Sequence, residues 1–228
     1  MAAREEGRVA VGMAVALPEL TVLTRKTVSF GLAIVRDAME LPLWSWLTEP
    51  LPMDFANTTR RRGMVDHDYL RTGADLASWS EREAGRVPRV SARAAAARLD
   101  EVRAMRDDVK AVLRAAVDDA PLPAGPTARL NARARALPLV GQLGRRRGEL
   151  RTAPATRVSA LDELLARVAA ATIELVGSGG TDAVRFCDAP SCGDFFAPDR
   201  ANQVWCDDSC GTRARVARHA AHAARAGR

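Results

Sequence analysis

Lysine is almost missing from this sequence. Lys26 and Lys110 are the two present, so arginine carries nearly all the positive charge. Aromatic residues make up 4% of the chain, which leaves Leu, Val and Ala to fill the interior and favours helices over sheets. No cysteine lies outside the 24 residues from Cys187 to Cys210. A secreted disulfide scaffold spreads its cysteines through a small domain, so metal ligation in a reducing cytoplasm fits this clustering better. No apolar run reaches membrane-spanning length: Val9–Leu17 is nine residues, preceded by Glu5 and Glu6 and stopped by Pro18, without the basic start of a signal peptide. The expectation is a soluble, cytoplasmic protein without a membrane partner. A Gly-rich phosphate loop, a Gly-x-Ser-x-Gly elbow and a His-Glu-x-x-His pair are all absent, so no enzyme is expected.

What remains is a chain of 228 residues with 47% hydrophobic composition, enough for one main domain and a small appendage. The formal charge of +6 is a mild excess whose meaning depends on where it is concentrated.

Residues 1–43 read as an N-terminal extension of unknown role, with a helix expected over Val28–Met39 and a break at Pro42. Trp44, Trp46, Leu47, Leu51, Met53 and Phe55 then crowd together, which suggests a buried strand or turn, and Arg60–Arg62 follows as a basic loop. Asp75–Trp79 reads as a short helix. Ser91 is an N-cap for one long helix to about Asp119, in which Leu99, Val102, Val109, Val112, Leu113 and Val117 recur at helical steps. Pro126–Leu137 continues as a helix, Leu139–Leu143 and Glu149–Thr152 as a small hairpin, and Val158–Val176 as an amphipathic helix. Gly177, Ser178, Gly179 and Gly180 mark a Gly-rich linker over 177–182. The division expected is a helical domain over 44–176 and a cysteine module over 183–228.

The cysteines form two close pairs, Cys187 with Cys192 and Cys206 with Cys210, separated by thirteen residues. Small structural zinc sites are built this way, each pair supplying two thiolates to one tetrahedron. Four sulfurs leave no open position for water, so one structural Zn2+ is expected and no catalytic residue. Two disulfides or a redox pair compete with this reading. The lack of a signal peptide weighs against the first and the lack of Cys-x-x-Cys against the second. Phe195, Phe196 and Trp205 between the pairs suggest a miniature core that the metal holds together.

Beyond Cys210 no acidic residue occurs. Asp207, Asp208 and Ser209 suit a helix N-terminus, and Arg215, Arg218, His222 and Arg225 then share one face while Ala214, Ala217, Ala221 and Ala224 share another. A braced cationic stripe suits DNA phosphates. It is equally the shape of a solvated terminal helix, and Arg213 has a second use in balancing the charge of a zinc–thiolate centre.

These residues resemble the CGNR zinc-finger family, whose members join an N-terminal helical ABATE domain to a four-cysteine finger. Cys187, Cys192, Phe196, Asp199, Arg200, Trp205, Cys206, Cys210, Gly211 and Arg213 stand at the recurring positions of the finger. Glu49–Thr58, Asp75–Trp79 and the helix order after them resemble the ABATE side, so the likeness runs from Trp44 to about Arg218. Thr212 departs from the motif's asparagine. The resemblance implies a mainly α fold with a small hairpin and a terminal finger. It also implies stress-linked transcription regulation, with DNA as partner and a small-molecule effector or protein partner at the helical domain. Arg200, Arg213, Arg215 and Arg218 are the expected DNA contacts, and a homodimer would raise affinity. A zinc-stabilised protein–protein interaction module without DNA binding is the alternative.

Asp54 and Asn57 lie in apolar context and either line a ligand pocket or satisfy local structure, the latter being commoner. His67, between Asp66 and Asp68, has no second histidine in helical reach and reads as a solvated loop.

Overall fold

A computed structural model of the chain describes residues 48–62, 65–146 and 150–226. The expected N-terminal extension and its helix over Val28–Met39 lie outside the described residues, as do Trp44, Trp46 and Leu47. The order of elements is α1 (Leu51–Ala56), β1 (Thr59–Arg62), β2 (Val65–Asp68), α2 (Gly73–Arg82), α3 (Ala92–Ala97), α4 (Leu99–Val117), α5 (Ala124–Ala136), β3 (Leu139–Leu143), β4 (Leu150–Pro154), α6 (Ala160–Gly177), a 3-10 turn over Gly180–Ala183, β5 (Arg185–Phe186), β6 (Phe195–Phe196) and α7 (Asp208–Ala226). The fold is mainly α, and its strands pair only as three separate antiparallel hairpins among the described residues.

Helices α4 and α6 supply the centre. Val102, Val109, Val112 and Leu113 of α4 and Leu161, Leu164, Leu165, Val168 and Ala169 of α6 are buried in one core with Phe55, Leu76 and Trp79. The spacing of these residues by three and four puts them on one face of each helix, which is why the periodic pattern was visible in the chain. Ser159 starts α6 by accepting from the Asp162 amide at 3.1 Å. Thr72 and Asp75 close a reciprocal capping box at the start of α2.

Three local expectations are corrected. The segment around Phe55 is not a strand or simple turn: Leu51–Ala56 is a short helix, buried over all six residues. Pro50 and Pro52 preset its first turn, and the Asn57 amide donates back to Met53 at 2.8 Å. The long helix expected from Ser91 breaks at Arg98, whose φ of −135° leaves the helical region. Its guanidinium is held by Glu101 at 2.7 and 2.9 Å and by Asp162 at 2.7 Å, at the residue where α3 ends and α4 begins. The turn lets α3 lie on α2, where a Cβ at Gly73 would sit 2.1 Å from the Ala92 carbonyl oxygen. Only glycine permits that approach.

Arg60–Arg62, expected as a loop, belongs to β1, with Arg60 opposite His67 and Thr59 opposite Asp68 on β2. His67 is therefore a half-buried strand residue. Its neighbour Asp68 accepts two hydrogen bonds, at 2.6 and 2.8 Å, from the buried Arg106 of α4. Burial opposes ionisation of Asp68, but the Arg106 guanidinium outweighs it and holds the carboxyl below its usual range. The β3–β4 hairpin forms with its first strand where the sequence places it and its second strand over Leu150–Pro154, with Leu139 opposite Pro154 and Leu143 opposite Leu150. No described helix is long and apolar enough to cross a membrane.

Candidate metal centre

The strands β5 and β6 pair with Arg185 opposite Phe196 and Phe186 opposite Phe195. The turn between them carries the first two cysteines: Cys187 donates its amide to Asp194 at 2.8 Å, Gly193 to Cys187 at 3.1 Å, and Cys192 to Ala189 at 3.1 Å. Gly193 has φ of 94°, a left-handed conformation that suits glycine at this tight reversal. The second pair sits at the start of α7, where Cys210 lies in the first turn and donates its amide to Asp207 at 3.1 Å. The Asp207 side chain accepts from the Ser209 amide at 2.7 Å.

These two supports converge. All four cysteines are free thiols, and their sulfur atoms lie within 4.8 Å of one another. Cys206 Sγ is 3.5 Å from both Cys192 Sγ and Cys210 Sγ. Tetrahedral zinc with Zn–S bonds of about 2.3 Å separates its sulfurs by about 3.8 Å, so this constellation is of the right size. Four thiols crowded without a cation cannot all ionise: hydrogen bonding with Cys187 and burial push Cys206 far up, and burial pushes Cys210 up to about 12. A divalent cation reverses that balance and is bound by thiolates. The donor set fits one structural zinc ion, with no position left for substrate.

The expected miniature core divides in two. Phe196 is buried with the cysteines and Ala189, and Trp205 packs against them. Phe195 points the other way, into the helical core with Val184. Successive strand residues face opposite sides, so two adjacent phenylalanines serve two cores. A Cβ on Gly211 would lie 3.1 Å from Trp205 Cδ1, so the indole rests directly on the helix beside Cys210.

Arg213 reaches back over the cluster. Its guanidinium donates to Cys210 Sγ at 2.9 Å, to the Pro190 carbonyl at 3.0 Å and to Ser209 Oγ at 3.1 Å, tying α7 to the first cysteine turn and placing positive charge against the sulfurs. Thr212, at the motif's asparagine position, donates to the Asp208 carbonyl at 3.2 Å and accepts from Arg215 at 3.1 Å, both within α7. Arg200, Arg215 and Arg218 line one cleft of about 910 Å³ together with Asp199, Asp207 and Asp208. From Arg215 to Arg225 every side chain of α7 is exposed, so among the alanines on its second face Ala214 is buried and Ala217, Ala221 and Ala224 are not.

The finger also grips the helical core. Asn57 and the Phe195 backbone exchange two hydrogen bonds of 2.8 Å. The Arg61 amide donates to the Cys192 carbonyl at 2.9 Å, and Arg60 pairs with the buried Asp194 at 2.5 Å while its guanidinium lies 3.8 Å from Cys192 Sγ. Arg114 lies over the Phe186 ring at 4.1 Å. Glu49 accepts from the Ala197 amide at 3.0 Å. Asp54 is buried and bonded to the Glu49 amide at 3.1 Å and to Arg86 at 2.9 Å. The pairings of Arg60 with Asp194 and of Arg114 with Phe186 escape a sequence reading because nothing local marks residues so far apart as partners. The buried context of Asn57 was the one readable signal.

Residues 49–179 match the ABATE family, described as "putative stress-induced transcription regulator". Residues 184–223 match the CGNR zinc finger. Neither description names an enzymatic activity. No curated protein matches the chain.

Proposed function

The chain belongs to the ABATE family and carries a CGNR zinc finger after that domain, and on this premise we propose that it is a transcription regulator that docks on DNA through the helix its metal centre braces. The observation that carries this reading is the free length of α7. Its first turn is held by Cys210, Arg213 and the Trp205 contact, and the exposed remainder places Arg215, Arg218, His222 and Arg225 on one face with no acid after Asp208. A helix fixed at one end presents these guanidinium groups in a set direction, which lowers the ordering cost of meeting phosphates or base edges.

In this proposal Arg215 and Arg218 are the principal DNA contacts, with Arg200 beside them, and Arg213 acts by bracing the helix. The helical part over 44–176 answers an effector or partner, and residues 177–182 join it to the finger over 183–228. A groove of about 430 Å³ between α4 and α5, floored by Met105 and Leu130, is the place its shape offers an effector. The protein acts in the cytoplasm, where thiols remain reduced, and dimerisation would double the DNA contact.

One observation favours a second reading. Asp199, Asp207 and Asp208 share the cleft with the three arginines, a mixed lining better suited to a protein surface than to phosphates. Fluorescence anisotropy with a mixed-sequence duplex between about 50 and 200 mM salt separates the two. A DNA binder loses affinity steeply with salt, and Arg215→Ala with Arg218→Ala lessens the slope of log K on log salt by about 2. Absence of binding at low salt sinks the DNA reading and leaves the interaction module.

A further inference from the structure

β3 and β4 make a ribbon that pairs with no other strand among the described residues. Its base rests on α6, where Arg167 donates to the Thr152 carbonyl and Leu139 and Ala153 are half-buried. Beyond the Gly141–Thr152 pair the ribbon leaves the body: Leu143 is 91% exposed, and Gln142, Arg145, Arg146 and Arg151 are all exposed. Residues 139–157 carry arginine at 145, 146, 147, 151 and 157 against a single acid, Glu149. Gln142 stands opposite Arg151, so the two share a face.

An isolated two-stranded ribbon with so little buried surface adds little to stability, so its extension asks for a partner. Its charge is complementary to a polyanion. Its shape narrows the choice further, since a DNA major groove about 12 Å wide admits a two-stranded ribbon as readily as a helix. Beyond the Gly141–Thr152 pair held on α6, two further residue pairs carry the strands about 7 Å outward, comparable with the groove depth of about 8.5 Å. Arginine suits such a contact better than lysine because its planar fork meets phosphate oxygens in pairs. The helix that carries the root, α6, shares one hydrophobic core with Val184 and Phe195 at the start of the finger.

We propose that the β3–β4 ribbon is a second duplex-DNA contact, with Arg145, Arg146 and Arg151 on phosphates and Gln142 facing the groove. This rests on the DNA reading of α7 and extends it to a two-point grip.

The test compares duplex binding by the full zinc-loaded chain with that of three double variants: R145A/R151A in the ribbon, R215A/R218A in α7, and R89A/R93A. The last removes the same charge from exposed positions in the helical domain. The ribbon pair is expected to weaken binding about tenfold or more and to lessen the salt slope by about 2, while R89A/R93A leaves both close to wild type. Arg145→Glu alone, which lies outside both strands, repeats the test without touching their pairing and is expected to weaken binding at least as much. If the ribbon variants lose no more than R89A/R93A, the second contact is overturned while DNA binding through α7 stands. If the wild-type chain binds no duplex at low salt, both readings fall.

Discussion

The side-chain amide of Asn57 pairs with the backbone of Phe195 at both ends, Nδ2 donating to the carbonyl and Oδ1 accepting from the amide, each at 2.8 Å. A side chain here stands in for a neighbouring strand, and it joins the end of α1 to a finger 138 residues away. Asn57→Ala leaves the Phe195 amide and carbonyl without these partners in a buried place, at a cost of about 2–4 kcal/mol. Urea denaturation is expected to show that loss, together with faster surrender of zinc to a chelator. An unchanged midpoint and unchanged release would mean that the finger does not depend on this clamp.

Arg213 touches sulfur, a backbone carbonyl and a hydroxyl at once. Arg213→Ala is expected to weaken zinc binding about 10–100-fold, the usual effect of losing a group that orients and neutralises ligands. Arg213→Lys keeps the charge without the fork and should fall between the two. Chelator competition reads the affinities, and three equal values would refute the bracing role.

Zinc removal should expose the side of the finger that holds Phe196 and Trp205 while Phe195 keeps its tie to the helical core. Trp205 fluorescence is expected to change on chelation, with Trp79 buried elsewhere as an internal reference. Far-UV dichroism should keep most of its helical signal, and thermal stability should fall because the bound ion stabilises the native state. Complete loss of helicity on chelation would show that the helical domain cannot stand without the metal.

Burial pushes the Glu83 carboxyl up to about 7; Arg86, at 2.8 Å, pulls it down only in part, and the nearby Asp54 carboxylate adds to the push. Burial also pushes Glu49 up to about 7 despite its bond to the Ala197 amide. Each group binds its proton more tightly folded than unfolded, so its favourable contribution is complete below about pH 4.5 and is lost as pH rises through about 7. Stability from this cluster is therefore expected to decline between about pH 5 and 7. Glu83→Gln, a neutral isostere, should flatten that decline and raise stability at pH 8 by on the order of 2 kcal/mol. Denaturation midpoints measured across that range provide the check, and a variant less stable than wild type at pH 8 would contradict it.

Much of the helical body was legible because burial imposes a period on the chain. α4 and α6 repeat their apolar residues at three and four steps, Ser91 announces a helix start, and the two strands of the hairpin are separated by a run of glycine and arginine. Leu51–Ala56 and Thr59–Arg62 were misread for the opposite reason. A helix buried on every side has no polar face to reveal its period, and a strand of Thr and Arg conceals its pairing behind charge. The break at Arg98 depends on Asp162 in another helix and on the backbone approach at Gly73, neither of which a local pattern contains.

The metal centre divides along the same line. Four thiols in two short pairs were enough to define the ligands, because short spacing brings each pair together whatever surrounds it. The arginine stripe on α7 was equally readable, since helical geometry alone places those side chains on one face. Folding settled how the finger is used as a body: Asn57 on Phe195, Arg60 on Asp194, Arg213 on Cys210, and one phenylalanine of an adjacent pair in each core. Those choices join residues remote along the chain, and they follow from which surfaces can be buried together without leaving a polar group unpaired.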